Sequence, residues 1–87
     1  KLNSDLVDPS LFKGRVLSNG SLTNVNSYGG YYLSSLSNYT DVPVTIGYGF
    51  LLVFGDKTND RFVQVLFHSS GKIYKRFKAA SWSGWVE

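Results

Sequence analysis

Cysteine and methionine are both missing from the 87 residues, and histidine occurs once. Without cysteine there is neither a disulfide framework nor a thiolate metal site, so a domain this small would draw extra stability from elsewhere, and oligomerisation is the source that remains. Without methionine, and starting at Lys1, the chain is expected to be a fragment of a longer polypeptide. No apolar run approaches the roughly 18 residues of a spanning helix, and no charged-then-apolar leader opens the chain, so membrane insertion is not expected. No segment carries apolar residues at i, i+3, i+4 and i+7 over three turns, which excludes a substantial helix.

The same scarcity limits chemistry. His68 ends an expected strand, and no serine, aspartate or cysteine stands beside it in a nucleophile motif; it reads as ordinary surface. A glycosidase needs two placed carboxylates, whereas Asp41, Asp56 and Asp60 all fall in expected loops. The stretch Asp56-Lys57-Thr58-Asn59-Asp60 lacks the alternating acids and the glycine of a calcium loop and reads as an acidic hairpin turn. We therefore expect no enzymatic activity, no metal and no cofactor.

What the chain does contain is strand signal. Tyr48-Gly49-Phe50-Leu51-Leu52-Val53-Phe54, Arg61 to His68 and Lys72 to Lys78 are rich in β-branched and aromatic residues. Polar clusters, Gly55 to Asp60 and Ser69-Ser70-Gly71, separate them, and connections this short require antiparallel pairing. The expected heart of the molecule is a three-stranded meander, and the expected class is all-β. In the third strand Ile73, Lys75 and Phe77 share one face, and Tyr74, Arg76 and Lys78 the other, which makes one face amphipathic and basic. From Phe50 to Phe54 no position is polar, which suggests burial on both faces, inside the domain or against a second copy.

Net charge is +3, and Lys57, Arg61, Lys72, Lys75, Arg76 and Lys78 all lie in the meander. They read either as a patch for an anionic polymer or as solvated strand faces and edge lysines that deter aggregation.

Outside the meander the signals are weaker. Residues 1–13 are expected to be a lead-in segment or the continuation of an upstream shaft, and 14–87 a single β knob-like domain. Asp8-Pro9 looks like a helix start ended by Gly14. Arg15-Val16-Leu17 is a plausible strand, and Asn19-Gly20 is a two-residue hairpin signal. Ser21 to Val25 fits a strand or a short helical turn with Leu22 and Val25 on one side. Gly29 to Ser35 is a strand entered through two glycines, Asn38 to Pro43 a loop, and Ala79 to Val86 a tail or last strand carrying both tryptophans.

In this order the chain resembles the pyocin-knob type of domain found in phage tail fibres and baseplate-associated proteins. The resemblance covers residues 14–86. It rests on Leu22-Thr23, Gly30-Tyr31-Tyr32-Leu33, Tyr39-Thr40-Asp41-Val42-Pro43, Gly49 to Phe54, Val63 to Phe67, Ile73-Tyr74-Lys75-Arg76 and Ser81-Trp82-Ser83-Gly84-Trp85. The basic stretch Lys75-Arg76-Phe77-Lys78 departs from the family pattern. The resemblance implies a small, non-enzymatic β domain, homotrimeric, placed on a virion fibre or baseplate and acting outside the cell.

Gly47-Tyr48-Gly49-Phe50-Leu51 is also similar to the core of the RNA-recognition octapeptide. However, Ile46 stands at its basic position and Val53 at its final aromatic one. Phe54, one residue on, would face the other side of the sheet, and the two helices of that fold are missing; nucleic acid is not an expected partner.

Aromatic residues are the excess, at 16% of the chain. Sugar rings stack their C–H faces on tryptophan or tyrosine and place hydroxyls against Asp, Asn and Arg. Trp82, Trp85, Tyr48, Tyr39, Asp41, Asn59, Asp60 and Arg76 are the candidate ligand-binding residues. They would serve a domain that recognises a host cell-surface saccharide or other receptor. The alternative is a ligand-free trimerisation knob in which the same aromatics are packing.

Overall fold

The protein is described by a computed structural model covering residues 15–16 and 19–87. The lead-in segment, the helix start at Asp8-Pro9 and Leu17 lie outside the described residues. The strands are β1 (Arg15–Val16), β2 (Gly20–Ser21), β3 (Gly29–Leu33), β4 (Tyr39–Thr40), β5 (Gly49–Asp56), β6 (Arg61–His68), β7 (Ile73–Ala79) and β8 (Ser81–Trp82). Helical structure among the described residues is confined to two single 3-10 turns, Leu22–Asn24 and Leu36–Asn38. The chain is all-β.

The expected meander is present, with β5, β6 and β7 in consecutive antiparallel register. Its first turn is held by Asp56, whose carboxylate accepts from the Thr58 N–H at 3.0 Å and the Asn59 amide at 2.6 Å, as an acidic hairpin turn should. Just before it Gly55 has φ +151°, and a Cβ there would lie 2.1 Å from the Arg61 carbonyl oxygen, so only glycine fits the ladder at this point. Beyond the meander the sheet grows at both sides to the order β1-β3-β5-β6-β7-β8. β3 pairs antiparallel with β5, β1 parallel with β3, and β8 antiparallel with β7.

Asn19-Gly20 does not make the expected hairpin. Gly20 has a positive φ of 122°, but β2 leaves to pair in parallel with β4 as a separate two-stranded sheet. The reason is local: the Ser21 hydroxyl accepts from the Thr23 N–H at 3.2 Å and starts the 3-10 turn that drives Leu22 into the core. Of the two readings left open for this stretch, the helical turn is the observed one. Tyr39–Thr40, expected as loop, is the partner strand.

The alternation of strand residues gives the sheet two faces. The inner face presents Tyr31, Leu33, Leu51, Val53, Phe62 and Leu66, and is covered by Leu22, Leu36 and Tyr39 from the segment that crosses it. The outer face presents Phe50, Phe54, Phe67, Ile73 and Phe77, each about half exposed. Within this chain β5 is thus buried on one side, through Leu51 and Val53, and the expectation of burial on both sides is not met in a single copy. The basic reading of β7 is corrected as well. Its Tyr74-Arg76-Lys78 side is the inner one, and Arg76 is 1% exposed rather than solvated.

Candidate functional site: a buried arginine between two tryptophans

The inner positions of β6 run Phe62, Gln64, Leu66, and the polar member of that set stands beside Arg76 of β7 as its register partner. Arg76 Nε donates to Gln64 Oε1 at 2.8 Å. The Gln64 amide nitrogen donates to the backbone carbonyls of Leu22 at 2.7 Å and Val25 at 2.9 Å, the first residue and the C-cap of the 3-10 turn above it. Gln64 is fully buried with its donors and acceptor used, which is the condition for a polar group in a core.

On its other side Arg76 Nη1 donates to Asp41 Oδ2 at 2.6 Å, as a charge-assisted bond between a buried guanidinium and a carboxylate 39% exposed. Asp41 reaches it because its backbone takes the left-handed conformation, φ 62°, which aspartate tolerates better than most residues. The Thr23 hydroxyl donates to the same carboxylate oxygen. Burial pushes the Asp41 carboxyl up, but the Thr23 hydrogen bond, the Arg76 hydrogen bond and the Arg76 charge together outweigh it and hold its pKa below the usual value.

The chain end completes the site. After Ala80, at φ 74°, the backbone reverses, and β8 sets Trp82 opposite Lys78, on the inner side. The tail stays alongside β7 through Ser83 N–H to Phe77 O at 2.7 Å and a bridge between Lys75 and Val86. The Arg76 guanidinium carbon lies 4.4 Å from the Trp82 ring centre and 4.6 Å from that of Trp85. Each indole is pinned by its Nε1–H, Trp82 to the Thr23 carbonyl at 3.1 Å and Trp85 to the Asp41 carbonyl at 3.0 Å. Arg76 Nη2 is buried with no hydrogen-bond partner among the described residues, and the two ring faces are the compensation its charge receives.

Four of the candidate residues, Trp82, Trp85, Asp41 and Arg76, therefore meet in one cluster drawn from three parts of the chain. Asp60 lies one step away: its carboxylate pairs with Lys78 at 3.0 Å, and Lys78 is the register partner of Trp82. The others do not join. Tyr39 is 5% exposed and belongs to the core, because β4 runs in the layer that covers the inner face. Burial raises its hydroxyl pKa, and Tyr32 adds to the effect. Asn59 is occupied in the hairpin turn, and Tyr48 packs its ring edge-on to Tyr32 at 6.2 Å on the outer side of the sheet. Gln64 and Thr23 are the members that sequence reasoning missed. For Gln64 a signal existed, a single polar residue on the alternating face of Phe62 and Leu66.

His68 is more than ordinary surface. Its Nε2 lies 2.7 Å from the Ile46 carbonyl and its Nδ1 accepts from the Ser70 N–H at 3.1 Å, so it ties the loop before β5 to the β6–β7 turn. Of the six meander cations, Arg76 is interior, Lys78 pairs with Asp60 and Lys72 with Glu87. Compared with known proteins, the chain matches no family model, no curated protein and no solved structure.

Proposed function

We propose that this chain is a receptor-binding domain of a phage tail fibre or baseplate, homotrimeric, acting outside the cell on a host surface saccharide. The resemblance in residue order supports the setting. The observation that carries the binding reading is the Trp82–Trp85–Arg76–Asp41 cluster: two half-buried indoles fixed in orientation beside a carboxylate that keeps 39% exposure. Rigid aromatic faces next to a charged acceptor suit a sugar, whose C–H face stacks on the ring while its hydroxyls donate to the carboxylate, with little side-chain entropy lost on binding. The reading involves no catalytic step, no nucleic acid and no membrane insertion.

One feature favours the ligand-free knob instead. Both indole N–H groups are already bonded to backbone carbonyls, and both rings already contact Arg76, so the cluster is also a self-sufficient clasp between tail and sheet. Titrating the intrinsic tryptophan fluorescence with cell-wall polysaccharides separates the two. A saturable shift that is lost in a folded Trp85→Ala variant supports recognition, whereas a flat response to every polysaccharide, with blue-shifted emission, transfers the assignment to the knob.

A further inference from the structure

We infer that the outer face of the sheet is an association surface whose occupant is another copy of this chain. This extends the proposed oligomeric state and rests on it, but is independent of saccharide binding.

Tyr48, Phe50, Phe54, Phe67, Ile73 and Phe77 are 44–56% exposed on that side. At roughly 200 Å² for a large apolar side chain, six half-exposed groups offer on the order of 600 Å² before the partly exposed Leu52, Val63 and Val65 are added. The largest apolar patch of a monomeric protein is roughly 300–600 Å², and a stable interface takes about 800 Å² from each partner. The face therefore lies at the top of the monomer range before those three residues are added, and with them it approaches one partner's share of a stable interface.

Relief and charge then point to the chain itself. Phe50, Phe67 and Ile73 face one another across β5, β6 and β7 as one ridge, and Phe54, Val63 and Phe77 form a second. Between them runs the lower row Gly30, Leu52, Val65, and over Gly29 and Gly30 the relief deepens into an apolar groove of about 600 Å³. A surface that carries both ridges and a trough can interdigitate with its own copy, as packed sheets do. Charge does not oppose that contact. Asp56 and Arg61 are opposite-sign register partners at one end, and Lys75, the charged residue between the ridges, has its ammonium 3.5 Å from the Glu87 carbonyl oxygen. Two such faces meet without placing a row of like charges opposite one another.

The test measures the mass of the full chain by sedimentation across the micromolar range, for wild type and for Phe67→Glu and Val65→Lys, with circular dichroism to establish folding. Wild type should be a dimer or trimer, and both folded variants should sediment as monomers. Association that survives both substitutions would overturn this interface while leaving the oligomer reading standing. A monomeric wild type at all concentrations would overturn both. Should one variant fail to fold, the other decides, because they sit on different rows of the face.

Discussion

The two faces of this sheet are built from the same strands and nearly the same residue types, yet they are finished differently. On β5 the neighbours Phe50 and Leu51 are 48% and 1% exposed. The inner face is closed by a crossing segment with two 3-10 turns and tied by a polar network through Gln64 and Arg76. The outer face has no counterpart among the described residues, neither a covering element nor a buried polar tie. Hydrophobicity alone therefore does not say which side of a strand becomes core. Here the side that can receive a cover is the one that contains the polar group able to hold the cover's backbone carbonyls.

The contrast can be broken most visibly by deleting side chains on opposite sides. Leu51→Ala should lower the free energy of unfolding by about 2–5 kcal/mol, while Phe77→Thr should change it by ~0.5 kcal/mol or less when urea denaturation is followed at low protein concentration. Equal losses would mean that the outer face is also core within one chain.

Gln64→Leu tests the polar tie. It removes the Gln64 amide from the carbonyls of Leu22, which keeps the Val25 N–H, and of Val25, and it leaves Arg76 Nε without its acceptor, at an expected loss of about 3 kcal/mol. In that background Arg76→Met should cost clearly less than it does in wild type, because the buried charge has already lost one partner. Strict additivity in the double-mutant cycle would show that the two residues act separately.

A smaller effect than the loss of the polar tie is electrostatic. The folded-state pKa of Asp41 is depressed, so its contribution is present above the unfolded carboxylate value, roughly 3.9, and is lost as pH falls through the lower folded value. Wild type should exceed Asp41→Asn in stability by on the order of 1 kcal/mol at neutral pH, a figure kept small by the exposure of the carboxylate. That gap should close in strongly acidic solution, and thermal melts of both proteins across acidic pH would show it. A gap independent of pH would mean that the Asp41–Arg76 bond adds no charge term.

Much of the sheet was legible in the sequence because its signals are local. The meander strands have period-two apolar patterns and their turns carry the residues that turns require, so β5, β6 and β7 lie where the pattern puts them. The parallel pairs were not legible. β1 with β3 and β2 with β4 join two residues each over long separations, too short to leave a periodic trace. Asn19-Gly20 misled because the capping hydroxyl of Ser21 redirects the chain one residue later. Arg76 misled for a related reason: the carboxylate, the glutamine and the two indoles that let an arginine be buried come from three other stretches of the chain, and nothing adjacent to it announces them. Chemistry alone did gather Trp82, Trp85, Asp41 and Arg76, whereas Tyr39 and Tyr48, chosen on the same grounds, were sorted by burial and face, which depend on the cover.

The crossing cover also imposes a sequence of events on folding. The meander can zip from its own turns, whereas the β2–β4 pairing and the contacts of Leu22, Val25 and Asp41 with Gln64 and Arg76 must close long loops first. Until that closure the chain is a sheet bare on both sides, with a guanidinium that has neither its carboxylate nor its carbonyl-anchored glutamine. A chain in that state exposes apolar residues on either face and is prone to aggregate, and the arrival of the cover withdraws the inner face while Phe50, Phe54, Phe67, Ile73 and Phe77 stay about half exposed on the outer one.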